Sequence, residues 1–519
     1  MTDDDLCLYE QQVSLGAAAR RSGRPVLDAG RGQPNWVATL PRAGMLELDA
    51  FALDAATAAG APDGRGRAPD AAGLAARLSA ALAARGTPGA SFLADAVAYG
   101  VDELGFEADA WVDELVRGTL GAGYPTPTPA LAHVEAVLER YLTHLVGCER
   151  SPRGTYQLFA TEGGAAAMAY VFNTLRESRL IQPGDAIALA TPIFTPYLQI
   201  PVLEDFGFRV VEIPARHDDP GRFAEHALDR LADPSIKAFF VINPGNPDSR
   251  AIGHEQLRQL HDLVVQRRPD LLIIADTAYA AFLPDFRGAL ADVPRNVVCI
   301  HSFSKTFGAT GNRLGFIAVH HDNVLDEALA LQADDDLEAV ARRYGSVTSD
   351  VRSLSFIRRL VADSRDVALH NIAGLGTPGQ VQMALFALAH LLPSGRAYID
   401  AVRTELAARQ HALFEPLGIA PPGGDDTGYY ALVDLLAVVR SRHGDAAAEA
   451  VAAATAPWTL ATRLAAEHGV IVLPGQLFDA DSWDVRVSAA SLDVDELRTV
   501  GASLAAVLDD ATGWAHQPT

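Results

Sequence analysis

Seven short apolar runs, separated by helical spacing or turn residues, constrain this 519-residue chain more than any other feature. They are "YQLFA" from 156, "AIALA" from 186, "FRVVEI" from 208, "KAFFVI" from 237, "LLIIA" from 271, "NVVCIHS" from 296 and "LGFIAVH" from 314. A strand with one wet face alternates apolar and polar residues. A strand that is apolar throughout is buried on both faces, which requires helices above and below a largely parallel sheet. The pattern therefore predicts an α/β fold whose large domain holds a mostly parallel seven-stranded sheet between helices. After about residue 375 the chain turns helix-rich, with shorter strands at "YYALVDL", "GVIVL" and "VRVSA", which predicts a second, smaller α/β domain.

Upstream of the sheet lie a turn-rich stretch, "LDAGRGQPNW" (27–36), and a low-complexity connection, "GAPDGRGRAPDAAG" (60–73). Ala-rich helical pattern follows to about residue 120, where "GAGYPTPTPA" breaks it. The expected division is an N-terminal arm and extension over 1–125, partly packing with the small domain, a large domain over 126–375 and a small domain over 376–519. A chain this long exceeds one ordinary core.

Composition excludes several roles. A net charge of -23 opposes phosphate backbones, so no nucleic-acid partner is expected. No apolar run is long enough to cross a bilayer, and "MTDDDLCLYEQQ" has no apolar signal region, so a cytoplasmic protein is expected. Cys7, Cys148 and Cys299 are too few and too scattered for a disulfide framework or a zinc site. His320 and His321 are neighbours on a predicted strand and should face opposite sides, so no metal is expected there.

Positive charge here is carried almost wholly by arginine. Of 42 Lys and Arg residues, only Lys237 and Lys305 are lysine. Lys237 begins a predicted strand and reads as a solvated end. Lys305 follows "NVVCIHS", at a carboxyl edge of the sheet, where open α/β sheets bind ligands. Around it lie Ser302, Ser304 and Arg313, hydroxyls and a guanidinium suited to phosphate oxygens. "TEGG" (161–164) opens a helix behind a strand and adds an anion cradle through Gly163 and Gly164. Asp276 ends a buried strand, where a carboxylate needs a cationic partner, and a pyridinium nitrogen would serve.

The ordered motifs "TEGG", "TPIFTPY", "NPGNP", "ADTAY", "SFSK" and "GNRLG" resemble the fold-type I pyridoxal-phosphate enzymes, the aspartate aminotransferase superfamily. The resemblance implies pyridoxal 5'-phosphate as cofactor and Lys305 as its Schiff-base lysine and proton shuttle. It makes Asp276 the pyridine-nitrogen partner, and Asn246 and Tyr279 the partners of the ring hydroxyl. Phe194 would stack on the ring, and Ser302, Ser304, Arg313, Gly163 and Gly164 would hold the phosphate. Tyr124 would reach the neighbouring subunit's phosphate in a homodimer with shared active sites. Larger assemblies of dimers are a further expectation. Arg486 in "DVRVSAAS" would clamp the substrate α-carboxylate.

Within the superfamily, "AGRGQPNW", "FATEGGAAAMAY", "LVADSRDVAL" and "VQMALFAL" resemble the aspartate 4-decarboxylases. That resemblance implies an amino-acid substrate processed through external aldimine, quinonoid and ketimine stages, losing its β-carboxylate to give alanine, with transamination as a side activity. Arg31 and Arg365 would then lie near the distal carboxylate or its entry. The chain departs from the family pattern at Asn312, Ile372, Gln476 and Leu477, all in segments expected to line the cavity. Those departures leave a second reading open: a specialised-metabolism enzyme performing γ-elimination, replacement or carbon–carbon bond formation on a larger amino acid such as S-adenosylmethionine. A third, non-catalytic reading is an aminotransferase-like sensor. It sits poorly with the acidic charge and the intact Lys305, Asp276 and Arg486.

Overall fold

A computed structural model describes residues 8–515, except 62, 126–128, 218, 220 and 366–373. Cys7, Ile372 and the boundary expected at 126 lie outside the described residues. Leu27–Asp28 forms a short first strand, β1. The seven apolar runs then give β2 (Tyr156–Thr161), β3 (Ala186–Thr191), β4 (Arg209–Pro214), β5 (Ile236–Ile242), β6 (Leu272–Asp276), β7 (Val297–Ser302) and β8 (Gly315–His320). They form one sheet in the order β2-β8-β7-β6-β5-β3-β4. Only β8 runs against its neighbours, pairing antiparallel with β2 and β7.

Burial follows position in the sheet. Every residue of β3 and β7 is buried, whereas β4, at the edge, exposes Arg209 and Glu212. Charged residues on an edge strand discourage pairing with another chain. Each buried aliphatic side chain in the central strands contributes roughly 1.5–3 kcal/mol. The helix Thr377–Leu391 is apolar almost all round and buried along most of its length, as expected of a helix inside the core rather than on its surface.

Because β8 is the only reversed strand, the carboxyl ends of β2, β3, β5, β6 and β7 share one sheet edge. "TEGG", "TPIFTPY", "NPGNP", "DTAY" and "SFSK" all leave from that edge, and β8 enters from it just after Arg313. The topology alone collects motifs spread over about 150 positions of sequence.

The second unit contains β9 (Tyr430–Asp434), β10 (Val470–Ile471), β11 (Leu473–Pro474) and β12 (Asp484–Ser488). Its three-stranded sheet has the order β11-β12-β9 and is antiparallel. "GVIVL", expected as one strand, is split: β10 pairs in parallel with β1, while β11 joins β12. The helix Leu8–Arg21 buries Leu15, Ala18 and Ala19 against Ala461, Ala465 and Ile471. The N-terminal arm is therefore packed onto the C-terminal unit. His320 and His321 correct another expectation. β8 ends at His320, so strand alternation stops and the two rings lie side by side, with centroids 4.5 Å apart. Each Nδ1 is bonded to a backbone carbonyl, of Asp322 and Thr155 respectively.

Candidate active site

Lys305 stands in the turn after β7, and its Nζ donates to the Gly32 carbonyl at 2.8 Å. The loop carrying that carbonyl is the "AGRGQPNW" stretch. The Tyr429 hydroxyl donates to the same oxygen at 2.8 Å, and the Trp36 indole donates to the Lys305 carbonyl at 3.1 Å. Close approach depends on the missing side chain. A Cβ on Gly32 would run into the Tyr430 hydroxyl and lie 3.3 Å from Lys305 Nζ.

On one side of Lys305 is an anion cradle. Gly163 has φ +88°, and a Cβ there would lie 2.8 Å from Arg313 Nη2. A side chain at 163 would thus displace the guanidinium. Helix Gly164–Glu177 begins here, and the first N–H groups of a helix have no partners within it. The Ser304 N–H donates to Ser302 Oγ at 3.3 Å, holding the two hydroxyl-bearing residues on the same turn. Arg313 itself adopts a left-handed backbone, φ +53°, which is uncommon for a residue with a side chain and is found at sites where geometry outweighs local preference.

At the other end, Asp276 closes β6. Its Oδ1 accepts from the Ala278 N–H at 3.0 Å and its Oδ2 from the Tyr197 hydroxyl at 3.1 Å. Burial pushes its carboxyl up to about 6, opposed by those two donors and by the charge of Lys305. The sign matters. Between the ordinary carboxylate value and about 6, the folded chain holds a proton that the unfolded chain has lost, so this group's contribution to stability falls as pH rises through that window. A cationic ring nitrogen beside the carboxylate favours the ionised form instead. Affinity for pyridoxal phosphate should therefore fall about tenfold per unit as pH drops below about 6. Tyr197→Phe removes a donor and should move that break upward, while weakening affinity by about 3- to 10-fold. Absorbance titration of the apoprotein with cofactor measures both. A flat profile between about pH 5 and about pH 7 would remove Asp276 from the ring-nitrogen role.

Arg486, on β12, is 4% exposed. Its Nη1 donates to Asn246 Oδ1 at 3.0 Å and its Nη2 to the Gly30 carbonyl at 2.6 Å. The guanidinium lies between the rings of Tyr430 and Phe478, 4.4 and 4.5 Å from their centroids. Its Nε is buried and without a partner among the described residues. Asn246 also brings its Nδ2 within 3.5 Å of the Tyr279 hydroxyl, which lies 3.0 Å from that of Tyr430. Phe194 is half-buried at the start of the short helix Thr195–Gln199. That helix is pinned to the 475–478 turn by Thr195 Oγ1 donating to the Leu477 carbonyl at 2.6 Å.

The remaining expected residues sit farther out. Arg31 is 76% exposed and paired with Asp28 at 3.0 Å. Arg365 pairs with Glu162 of "TEGG" at 2.7 Å and donates to the Gly374 carbonyl. Asn312 is exposed and donates to Gln382, on the helix Thr377–Leu391, at 2.9 Å. Tyr124 is 66% exposed.

Four residues escaped the sequence reading: Tyr197, Tyr429, Tyr430 and Trp36. The three tyrosines look like core residues, and Trp36 closes a turn-rich stretch. The available signal was polar: a buried tyrosine or tryptophan needs a hydrogen-bond partner for its polar atom. Tyr197 lies one helical turn beyond Phe194 in the quoted "TPIFTPY". Two clefts of about 920 and 600 Å³ flank Arg216 and Arg222, but neither is lined by Lys305, Asp276 or Arg486.

A half-buried amine, a strand-end carboxylate and an anion cradle at the carboxyl edge of this sheet define a fold-type I pyridoxal-phosphate transferase. The chain matches the family Aminotransferase class I and II over residues 122–504, and it belongs to that family. A bifunctional aspartate aminotransferase and L-aspartate beta-decarboxylase from Pseudomonas sp. is 38% identical over 500 residues, 96% of this chain and 94% of its own length. Among solved structures, aspartate aminotransferase from Thermus thermophilus with maleate gives a TM-score of 0.58 at 19% identity, covering 96% of both chains. An aromatic aminotransferase from Pyrococcus horikoshii OT3 gives 0.59 at 18% identity, covering 96% of this chain and 99% of its own. At those identities the structures speak for the fold. The residues present fit the cofactor: Gly163 leaves the space that Arg313 fills, and Asp276 is a carboxyl that burial pushes up to about 6 and that a cation beside it would ionise.

Proposed function

We propose that this chain is a pyridoxal-phosphate enzyme that removes the β-carboxylate of aspartate to give alanine, with aminotransferase side activity. The observation that carries the reading is end-to-end identity of 38% with a relative named for both reactions, on a chain that has Lys305 and Asp276 at one sheet edge and Arg486 of the second unit bonded to Asn246 there. Bound to Lys305, the cofactor supplies an electron sink that makes the substrate Cα–H acidic and allows carbon dioxide to leave from Cβ.

The chain's own groups do the rest. Lys305 holds the cofactor through its amine and, once released, takes the Cα proton. Asp276 keeps the ring nitrogen protonated, and Tyr197 holds Asp276. Asn246 and Tyr279 bind the ring hydroxyl, and Phe194 covers the ring face. Ser302, Ser304, Arg313 and the Gly163–Gly164 backbone hold the phosphate. Tyr124, exposed on one copy, serves the phosphate of its partner in a cytoplasmic homodimer. Arg486 receives the α-carboxylate on Nη2, where the Gly30 carbonyl gives way to it, and on the Nε N–H that lacks a partner. Arg31 and Arg365 read the distal carboxylate, exchanging their contacts with Asp28 and Glu162 for it, and Asn312 and Ile372 contribute to the choice of substrate.

Incubating holoenzyme with aspartate and, separately, with S-adenosylmethionine tests this directly. Alanine and carbon dioxide are expected from the first. Release of methylthioadenosine from the second, with aspartate inert, would overturn the reading. Arg31→Ala should raise KM for aspartate by about 10- to 100-fold, while transamination of a neutral amino acid changes by less than about 3-fold. Equal losses on both would show that Arg31 does not read the distal group.

A further inference from the structure

Tyr430 is the first residue of β9 and is 2% exposed. Its position is fixed from several sides. Its N–H donates to Ser249 Oγ at 2.7 Å, and its carbonyl accepts from Gln410 Nε2 at 2.9 Å. Its ring lies against the Arg486 guanidinium and, edge to face, against Tyr279, with centroids 5.5 Å apart. Its hydroxyl is 3.0 Å from the Tyr279 hydroxyl. This hydrogen bond runs from the three-stranded sheet to the loop after β6 of the seven-stranded sheet.

We infer that Tyr430 is a positioning residue that sets, through Tyr279, how readily the imine between Lys305 and the cofactor gives up its proton. The inference rests on the reading of Tyr279 as a partner of the ring hydroxyl. A phenol has one proton. When Tyr279 gives its proton to the ring oxygen, the 3.0 Å contact exists only with Tyr430 as donor and Tyr279 as acceptor. Asn246 Nδ2 also approaches Tyr279, at 3.5 Å, near the limit of a hydrogen bond. An incoming donor polarises Tyr279 and strengthens its own donation. The ring oxygen carries its least compensated charge when the adjacent imine nitrogen has lost its proton. Stronger donation therefore favours the deprotonated imine and lowers its titration midpoint.

The other charged and titratable groups facing this pair are Arg486 and Tyr429, with Lys305 Nζ and the Tyr430 hydroxyl both next to Gly32. Tyr430→Phe leaves all three in place, with the ring that Arg486 packs on, and removes only the hydroxyl.

The test is the visible absorbance of the holoenzyme, titrated with pH and without any amino acid. Tyr430→Phe should raise the midpoint by about 0.5 to 1 pH unit. In a Tyr279→Phe background the same change should shift it by less than about 0.2 unit, because the relay is already cut. No shift from Tyr430→Phe while Tyr279 is intact, or an equal shift with and without Tyr279→Phe, would overturn the inference. A different failure marks the underlying reading. If borohydride traps no imine on Lys305, the site assignment falls, and the role of Tyr430 falls with it.

Discussion

Lys305→Arg should yield a folded protein that binds pyridoxal phosphate without a covalent bond and turns over at least about 10⁴-fold more slowly. The guanidinium keeps the charge and most of the length, so electrostatic holding of the cofactor survives. It has no free amine, so it forms no imine, and it stays protonated, so it cannot take the Cα proton. Both functions disappear in one substitution. The wild-type chain offers an unusually clean companion measurement. With only two lysines in 519 residues, borohydride reduction followed by peptide mapping has two possible outcomes for a lysine label. The pyridoxyl group should appear on Lys305. Its appearance on Lys237, which is exposed at the start of β5, would refute the assignment.

Arg486→Lys should raise KM for the amino-acid substrate by about 10²- to 10³-fold while leaving the cofactor's absorbance in place. Removing one partner from a buried, hydrogen-bonded charge site costs about 2–5 kcal/mol. Lysine brings a single point charge. It cannot hold Asn246 Oδ1 from one nitrogen and still present two parallel N–H groups to a carboxylate. It also loses the planar stacking between Tyr430 and Phe478. Steady-state kinetics beside a cofactor absorbance spectrum separate the two effects. An unchanged KM would show that the α-carboxylate is held elsewhere.

The large sheet was legible because its strands are buried on both faces and so read as unbroken apolar runs. "FRVVEI" is the exception: Arg209 and Glu212 interrupt it, as suits the edge strand β4. The short strands around Val472 were not separable. Two-residue strands carry no period, and only their partners, β1 and β12, decide where each belongs. Lys305 stood out because arginine carries nearly all other positive charge. Asp276 stood out because a carboxylate at a buried strand end needs a cation. Tyr197 and Tyr430 were hidden by being good core residues as well as hydrogen-bond donors, and nothing local distinguishes the two uses.

The carbonyl of Gly30 already occupies one arm of the Arg486 guanidinium. Every α-amino acid brings the same carboxylate to that arm and must dislodge the same oxygen. The competition lowers the affinity of all of them by one common factor, and a common factor cancels from any ratio between two substrates. Discrimination must therefore be built where side chains differ, toward Arg31 and Arg365, while the glycine loop governs only how much amino acid must be present before the enzyme responds.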